Sequence, residues 1–163
     1  MLDAKGQYNL GLLHVGGEGV NRGPHNAVHW LRKAADQGVA EAQFMLGMAY
    51  DLGDGVKQDK TRALRWLRKA AEQKDGEAEF KLGTMYECGR GVKRDGAQAM
   101  RWYHWAAEHG NVEAQRCLAI AHAEARGVRQ DNGNALVWLR KAAEQGDVQA
   151  QVRLGGCVIS DMA

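Results

Sequence analysis

Leu-Gly recurs as Leu10-Gly11, Leu46-Gly47, Leu82-Gly83 and Leu154-Gly155, with Leu118-Ala119 in the remaining slot, and every step is 36 residues. Trp30, Trp66, Trp102 and Trp138 keep that step. So do the pairs Ala34-Ala35, Ala70-Ala71, Ala106-Ala107 and Ala142-Ala143, and Gly-Val at Gly19, Gly55, Gly91 and Gly127. A chain with this period builds one supersecondary unit repeatedly. A single unit cannot bury both of its faces, so the units must stack.

Each unit reads as helix, loop, helix. In the second, Ala42, Leu46, Gly47 and Tyr50 share one helical face, and Ala63, Trp66, Leu67, Ala70 and Ala71 share another. Asp59, Asp95 and Asp131 stand where second helices begin and can cap free backbone amides. The first unit has Gly23 there, followed by Pro24, which suits a first helical position. Asp3, Asp75, Asn111 and Asp147 precede the first helices. Gly38, Gly110 and Gly146 stand where second helices end, a place for left-handed backbone, and Lys74 breaks that column. A single proline and plentiful alanine favour helix over sheet. The expected architecture is all-α: one domain over residues 1–163, with hairpins near 3–38, 39–74, 75–110 and 111–146. A lone helix over 147–160 should cover the open end.

The loop "YDLGDGVKQD", Tyr50 to Asp59, has the glycines and carboxylates of a ligand site, but its context excludes one. A phosphate loop needs a preceding strand and a following Lys-Ser/Thr. A calcium loop needs acidic ligands at alternate positions and a terminal Glu. Neither pattern is present, so the glycines serve to turn the chain, Val56 tucks inward and Asp59 starts the next helix.

These columns resemble the Sel1-like repeat family, relatives of the tetratricopeptide repeats. The family pattern is Ala-x3-Leu-Gly-x2-Tyr, then Gly-x-Gly-Val-x2-Asp, then Ala-x2-Trp-Leu-x2-Ala-Ala-x2-Gly. Residues 42–74 match it apart from Lys74, and residues 78–110 match with Tyr103 in place of leucine. The first unit departs with His14 for tyrosine, and the fourth with His122 for tyrosine and Ala119 for glycine. The resemblance implies an α/α right-handed superhelix that serves as a protein-interaction scaffold. Some relatives are cysteine-rich and described as penicillin-binding or β-lactamase-like, with a cysteine pair in each repeat. Here Cys88, Cys117 and Cys157 fall in three different columns, so that pattern is absent.

By analogy with tetratricopeptide packing, the first helices line the concave side. Tyr8, Phe44, Phe80 and Arg116 then form a stripe with Val152, beside Leu12, Met48, Thr84 and Ile120. Carboxylates interrupt it, among them Asp51 and Glu87. One reading is a groove for a protein or peptide with apolar side chains and some Lys or Arg. The other makes Phe44 and Phe80 core residues between repeats. Trp105 takes the column of Lys33, Lys69 and Lys141, and an exposed tryptophan there is either a second contact or dimer patch, or is covered by Tyr103 or another neighbour.

Arg32-Lys33, Arg68-Lys69 and Arg140-Lys141 fall at the ends of second helices, where cations complement the backbone dipole and keep the surface soluble. With a net charge of +2, they do not argue for nucleic acid. No apolar run is long enough to span a membrane. The N-terminus "MLDAKGQYNL" is not a secretory signal, which leaves cytoplasm or periplasm open. No cofactor or metal motif is present: the cysteines form no CxxC, and the histidines no H-E-x-x-H. The single serine, Ser160, lies near the C-terminus. Cys88 has no evident histidine base and reads as a small buried hydrophobe. The expected function is a non-catalytic adaptor, with a regulatory or immunity-type role among its uses in bacteria. The alternatives are a cell-wall or β-lactam hydrolase, by family association, and a fragment of a longer array whose exposed end helices self-associate.

Overall fold

A computed structural model describes residues 2–17, 23–125 and 128–160, the side chains of 156–160 excepted. Every described element is a helix. The first helices of the hairpins are α1 (Ala4–Gly16), α3 (Ala40–Leu52), α5 (Gly76–Cys88) and α7 (Val112–Glu124). The second helices are α2 (Pro24–Asp36), α4 (Lys60–Ala71), α6 (Gly96–Glu108) and α8 (Asn132–Glu144), and α9 (Val148–Ser160) follows. Each helix packs on its hairpin partner and then on the next hairpin, giving an all-α repeat superhelix.

The capping columns work as the sequence suggests. Asp59 accepts the Arg62 amide at 2.9 Å, Asp95 that of Gln98 at 3.0 Å, and Asp131 that of Asn134 at 2.9 Å. Asp3, Asp75, Asn111 and Asp147 do the same for first helices. The exceptions are Gly23, which relies on Pro24, and Val39.

Small residues set the helix spacing. A Cβ on Gly47 would lie 2.8 Å from Leu67 Cγ, and one on Gly83 would lie 2.5 Å from Tyr103 Cε1. The second loop glycine acts between repeats: a Cβ on Gly55 would sit 2.2 Å from the Pro24 carbonyl oxygen, so the loop backbone rests on the start of the preceding hairpin's second helix. Val56 packs into a core of Val28, Leu31, Leu46 and Tyr50. Equivalent cores centre on Leu67, Leu82 and Met85 and on Tyr103, Leu118 and Trp138.

A polar ladder runs within each hairpin and across to the one before it. Gln37, at the end of α2, donates to Gln7 Oε1 of α1 at 2.8 Å. Gln73 donates to Gln43 at 2.9 Å, and Gln145 to Gln115 at 3.0 Å. Gln43 and Gln115 are buried, and each donates its own amide to a carbonyl of the preceding second helix, Ala35 and Ala107, both at 3.1 Å. The central rung is different. Buried Glu79 meets His109 Nδ1 at 2.7 Å.

Candidate functional site

The residues proposed for partner contact do not form one continuous exposed stripe. Phe44 and Phe80 are half-buried, Phe44 against the Leu64, Leu67 and Leu82 core and Phe80 against Tyr103, ring centroids 5.5 Å apart. Tyr8 is half-buried against the first core, and its hydroxyl is pushed up by burial and by nearby Glu41 and Asp75. Leu12 is exposed, whereas Met48 and Ile120 are half-buried. Arg116 Nη1 reaches forward to Asp147 at 3.2 Å and Gln149 at 3.1 Å, tying α7 to α9.

Asp51 is a correction. Expected on an acidic rim, its side chain is 1% exposed. Lys60 Nζ lies 2.8 Å from Oδ1 and Lys81 Nζ 2.9 Å from Oδ2. Burial pushes this carboxyl up, but the hydrogen bonds and charges of the two lysines outweigh that and hold it below the ordinary range. Glu87, one repeat on, stays exposed and accepts the Tyr103 hydroxyl at 2.6 Å. Its column neighbours, Gly96 and Cys117, replace both lysines, so no ion cluster forms. Cys88 is a second correction, being exposed rather than buried. Burial pushes the Cys117 thiol up, the opposite of what an activated nucleophile needs.

The columns that hold the Asp51 cluster are apolar at the first repeat interface: Val15, Pro24 and Met45 replace Asp51, Lys60 and Lys81. A groove of about 340 Å³ opens there between α1, α2 and α3. Val28, Leu31, Phe44, Met48 and Ala49 line it, Leu52 stands beside them 67% exposed, and His14 and Asp54 are its polar members. Of the expected contact residues, this groove brings together Phe44 and Met48. Sequence reasoning missed Val15, Pro24 and Met45, although their departure from the Asp51, Lys60 and Lys81 columns was a visible signal. Trp105 is 44% exposed, its ring edge-on to Trp102 at 4.9 Å, and it does not line the groove. Tyr103 offers it no cover, being turned under Gly83.

Models of the Sel1 repeat match residues 4–39, 40–75, 76–111 and 112–147. The chain belongs to the Sel1 repeat family. Among solved structures, a Sel1 repeat protein from Oxalobacter formigenes is 38% identical with a TM-score of 0.87, over 94% of this chain and 63% of that one. A protective antigen of uropathogenic Escherichia coli with an SLR fold is 39% identical with a TM-score of 0.85, over 94% of this chain and 33% of that one. Helicobacter pylori cysteine rich protein B, at 21% identity and a TM-score of 0.63 over 77% of this chain and 93% of that one, shares the fold. The chain thus spans less than two thirds of the first two relatives. Among curated proteins no match was found. Sel1 repeats commonly mediate protein–protein interaction, and no described helix is long and apolar enough to cross a membrane.

Proposed function

We propose that this chain is a non-catalytic adaptor that holds a protein partner by an apolar side chain inserted in the groove between α1, α2 and α3. The observation that supports it is the groove's composition. It is the one repeat interface where the Asp51, Lys60 and Lys81 columns are apolar, and exposed Leu52 adds to it. Such a pocket suits an anchor residue, with a nearby Lys or Arg of the partner answering Asp54. Phe44 and Met48 form the floor, and Leu12 extends the apolar surface along α1. Tyr8, Phe80 and Ile120 serve mainly as support between repeats, and Glu87 and Arg116 bound the surface further along. Trp105 is a separate contact.

The test is capture of partners from a lysate of the source cells by the intact chain, compared with the M48E/L52E variant. Both positions lie outside the fully buried core, so the fold survives, as a melt followed by circular dichroism will confirm. Loss of the retained protein supports the groove. Undiminished capture by a folded variant refutes it. Turnover of a cell-wall or β-lactam substrate by the purified chain would favour the hydrolase reading instead.

A further inference from the structure

A second recess recurs at successive repeat interfaces, around the tyrosine column. At the first interface Arg32, Tyr50, Arg62, Arg65, Trp66 and Lys69 line about 330 Å³, sharing no residue with the apolar groove. Four of these six carry positive charge and none is acidic. Arg32 donates to the Tyr50 hydroxyl at 2.6 Å, leaving the phenol's own proton free to donate. The Arg32 and Arg62 guanidinium carbons lie 5.9 and 5.6 Å from the Tyr50 ring centroid, and Lys69 Nζ lies 4.4 Å from that of Trp66. Only Arg62 has a carboxylate, the half-exposed Asp59 at 3.3 Å, and Arg65 has no acidic partner among the described residues.

The repeat supplies its own control. In the next recess Gln98 replaces Arg62, and Asp95 joins Arg68, Lys93 and Arg94 in the lining. In the one after, His104, His122, Asn134 and Val137 stand for Arg32, Tyr50, Arg62 and Arg65, beside Trp138. The same architecture therefore folds without the three arginines, keeping only Lys141 over Trp138 as the counterpart of Lys69 over Trp66. The cluster around Tyr50 is not needed to build it, and its mutual repulsion opposes folding.

We infer that the recess around Tyr50 is a binding site for a phosphoryl oxyanion. Four cations without a lining carboxylate match a group bearing two or more negative charges. Guanidinium forks engage phosphoryl oxygens in pairs, Lys69 adds a point charge, and the Tyr50 hydroxyl adds a neutral donor. The volume equals that of roughly ten waters, room for a diphosphate or for a phosphorylated side chain.

The test is calorimetric titration of the intact chain with sodium diphosphate, at an ionic strength held constant with sodium chloride. A phosphoserine peptide and a hexaglutamate peptide are titrated in parallel. R62Q/R65Q removes two cations from exposed positions, and R101Q/R140Q removes the same charge elsewhere. The expected result is one diphosphate per chain, weakened at least tenfold in R62Q/R65Q and within twofold of the parent in R101Q/R140Q. Tighter binding of the phosphoserine peptide assigns the group to a modified partner, and tighter diphosphate binding assigns it to a free ligand. The inference is overturned if both variants weaken binding equally, if diphosphate binds no better than chloride, or if hexaglutamate binds and the phosphoryl probes do not. The readout is independent of the apolar groove.

Discussion

Replacing Glu79 by glutamine should stabilise the protein. In the ladder, Gln43 and Gln115 each donate a side-chain amide to the carbonyl eight residues back while accepting from the next glutamine. Glu79 keeps only the accepting half, from His109, and its ionised carboxylate cannot donate to the Ala71 carbonyl. Burial pushes its carboxyl above the ordinary 4.5, the His109 contact offsets this only partly, and Asp75 and Glu108 add to the rise. E79Q preserves the acceptor for His109 and supplies the missing donor, a gain of about 1 kcal/mol. For a chain of this size that is a Tm rise of about 2–4 °C at pH 7.5. The sign with pH follows from linkage. A raised folded value means that Glu79 contributes most favourably below 4.5, and that this contribution is lost as pH rises through the folded value. The advantage of E79Q should therefore be largest near neutrality and shrink on acidification. Melts followed at 222 nm from pH 4 to 8 check both statements. An unchanged or lower Tm at pH 7.5, or an advantage that grows toward pH 4, would refute the argument by showing that the His109 contact outweighs the cost of burying the carboxylate.

Lys74 adopts φ 65°, where Gly38, Gly110 and Gly146 adopt about 90° in the same column. The left-handed conformation costs a side chain about 1–2 kcal/mol, and glycine returns part of that in chain entropy, so K74G should gain about 0.5–1 kcal/mol in urea unfolding. G47A should lose about 1–3 kcal/mol, because the new methyl meets Leu67 at 2.8 Å and the Ala63 carbonyl at 3.3 Å. G155A, where nothing lies within 4 Å, should be neutral or stabilising in the same assay. D51A strands Lys60 and Lys81 and should cost about 2–3 kcal/mol at neutral pH. Because the Asp51 carboxyl is held low, its stabilisation is present above the ordinary aspartate range and is lost as pH falls through the folded value. D51A should accordingly flatten the acid end of the stability profile.

The Leu-Gly and capping columns were legible because part of their work lies within one hairpin: Gly47 against Leu67, or Asp59 on the Arg62 amide, needs nothing from elsewhere. Features that join hairpins were harder to see. The glutamine column was in plain view at Gln7, Gln43, Gln115 and Gln151, but amphipathic-face reasoning weighs apolar spacing and passes over a polar residue whose partners lie at the ends of its own and the preceding second helix. Asp51 and Glu87 share a column and differ in exposure solely because Lys60 and Lys81 reach the first, while Gly96 and Cys117 stand beside the second. Burial of a charge is thus decided by residues about nine and thirty positions away, which a single-helix pattern does not register.

The same logic explains where specific chemistry enters a periodic chain. A column that holds in every repeat is consumed by packing: the alanine pairs and the Trp30 column are needed at each interface. A column that changes between repeats is one the fold tolerates in several forms. Val15, Pro24 and Met45 open an apolar groove where the next repeat closes an ion cluster. Arg32, Arg62 and Arg65 concentrate charge where a later repeat has His104, Asn134 and Val137. Trp105 replaces a lysine that elsewhere lies over the indole of the residue three positions before it. Since each alternative folds at a neighbouring interface, stability does not dictate the choice, and these departures are where contacts with other molecules are free to be written.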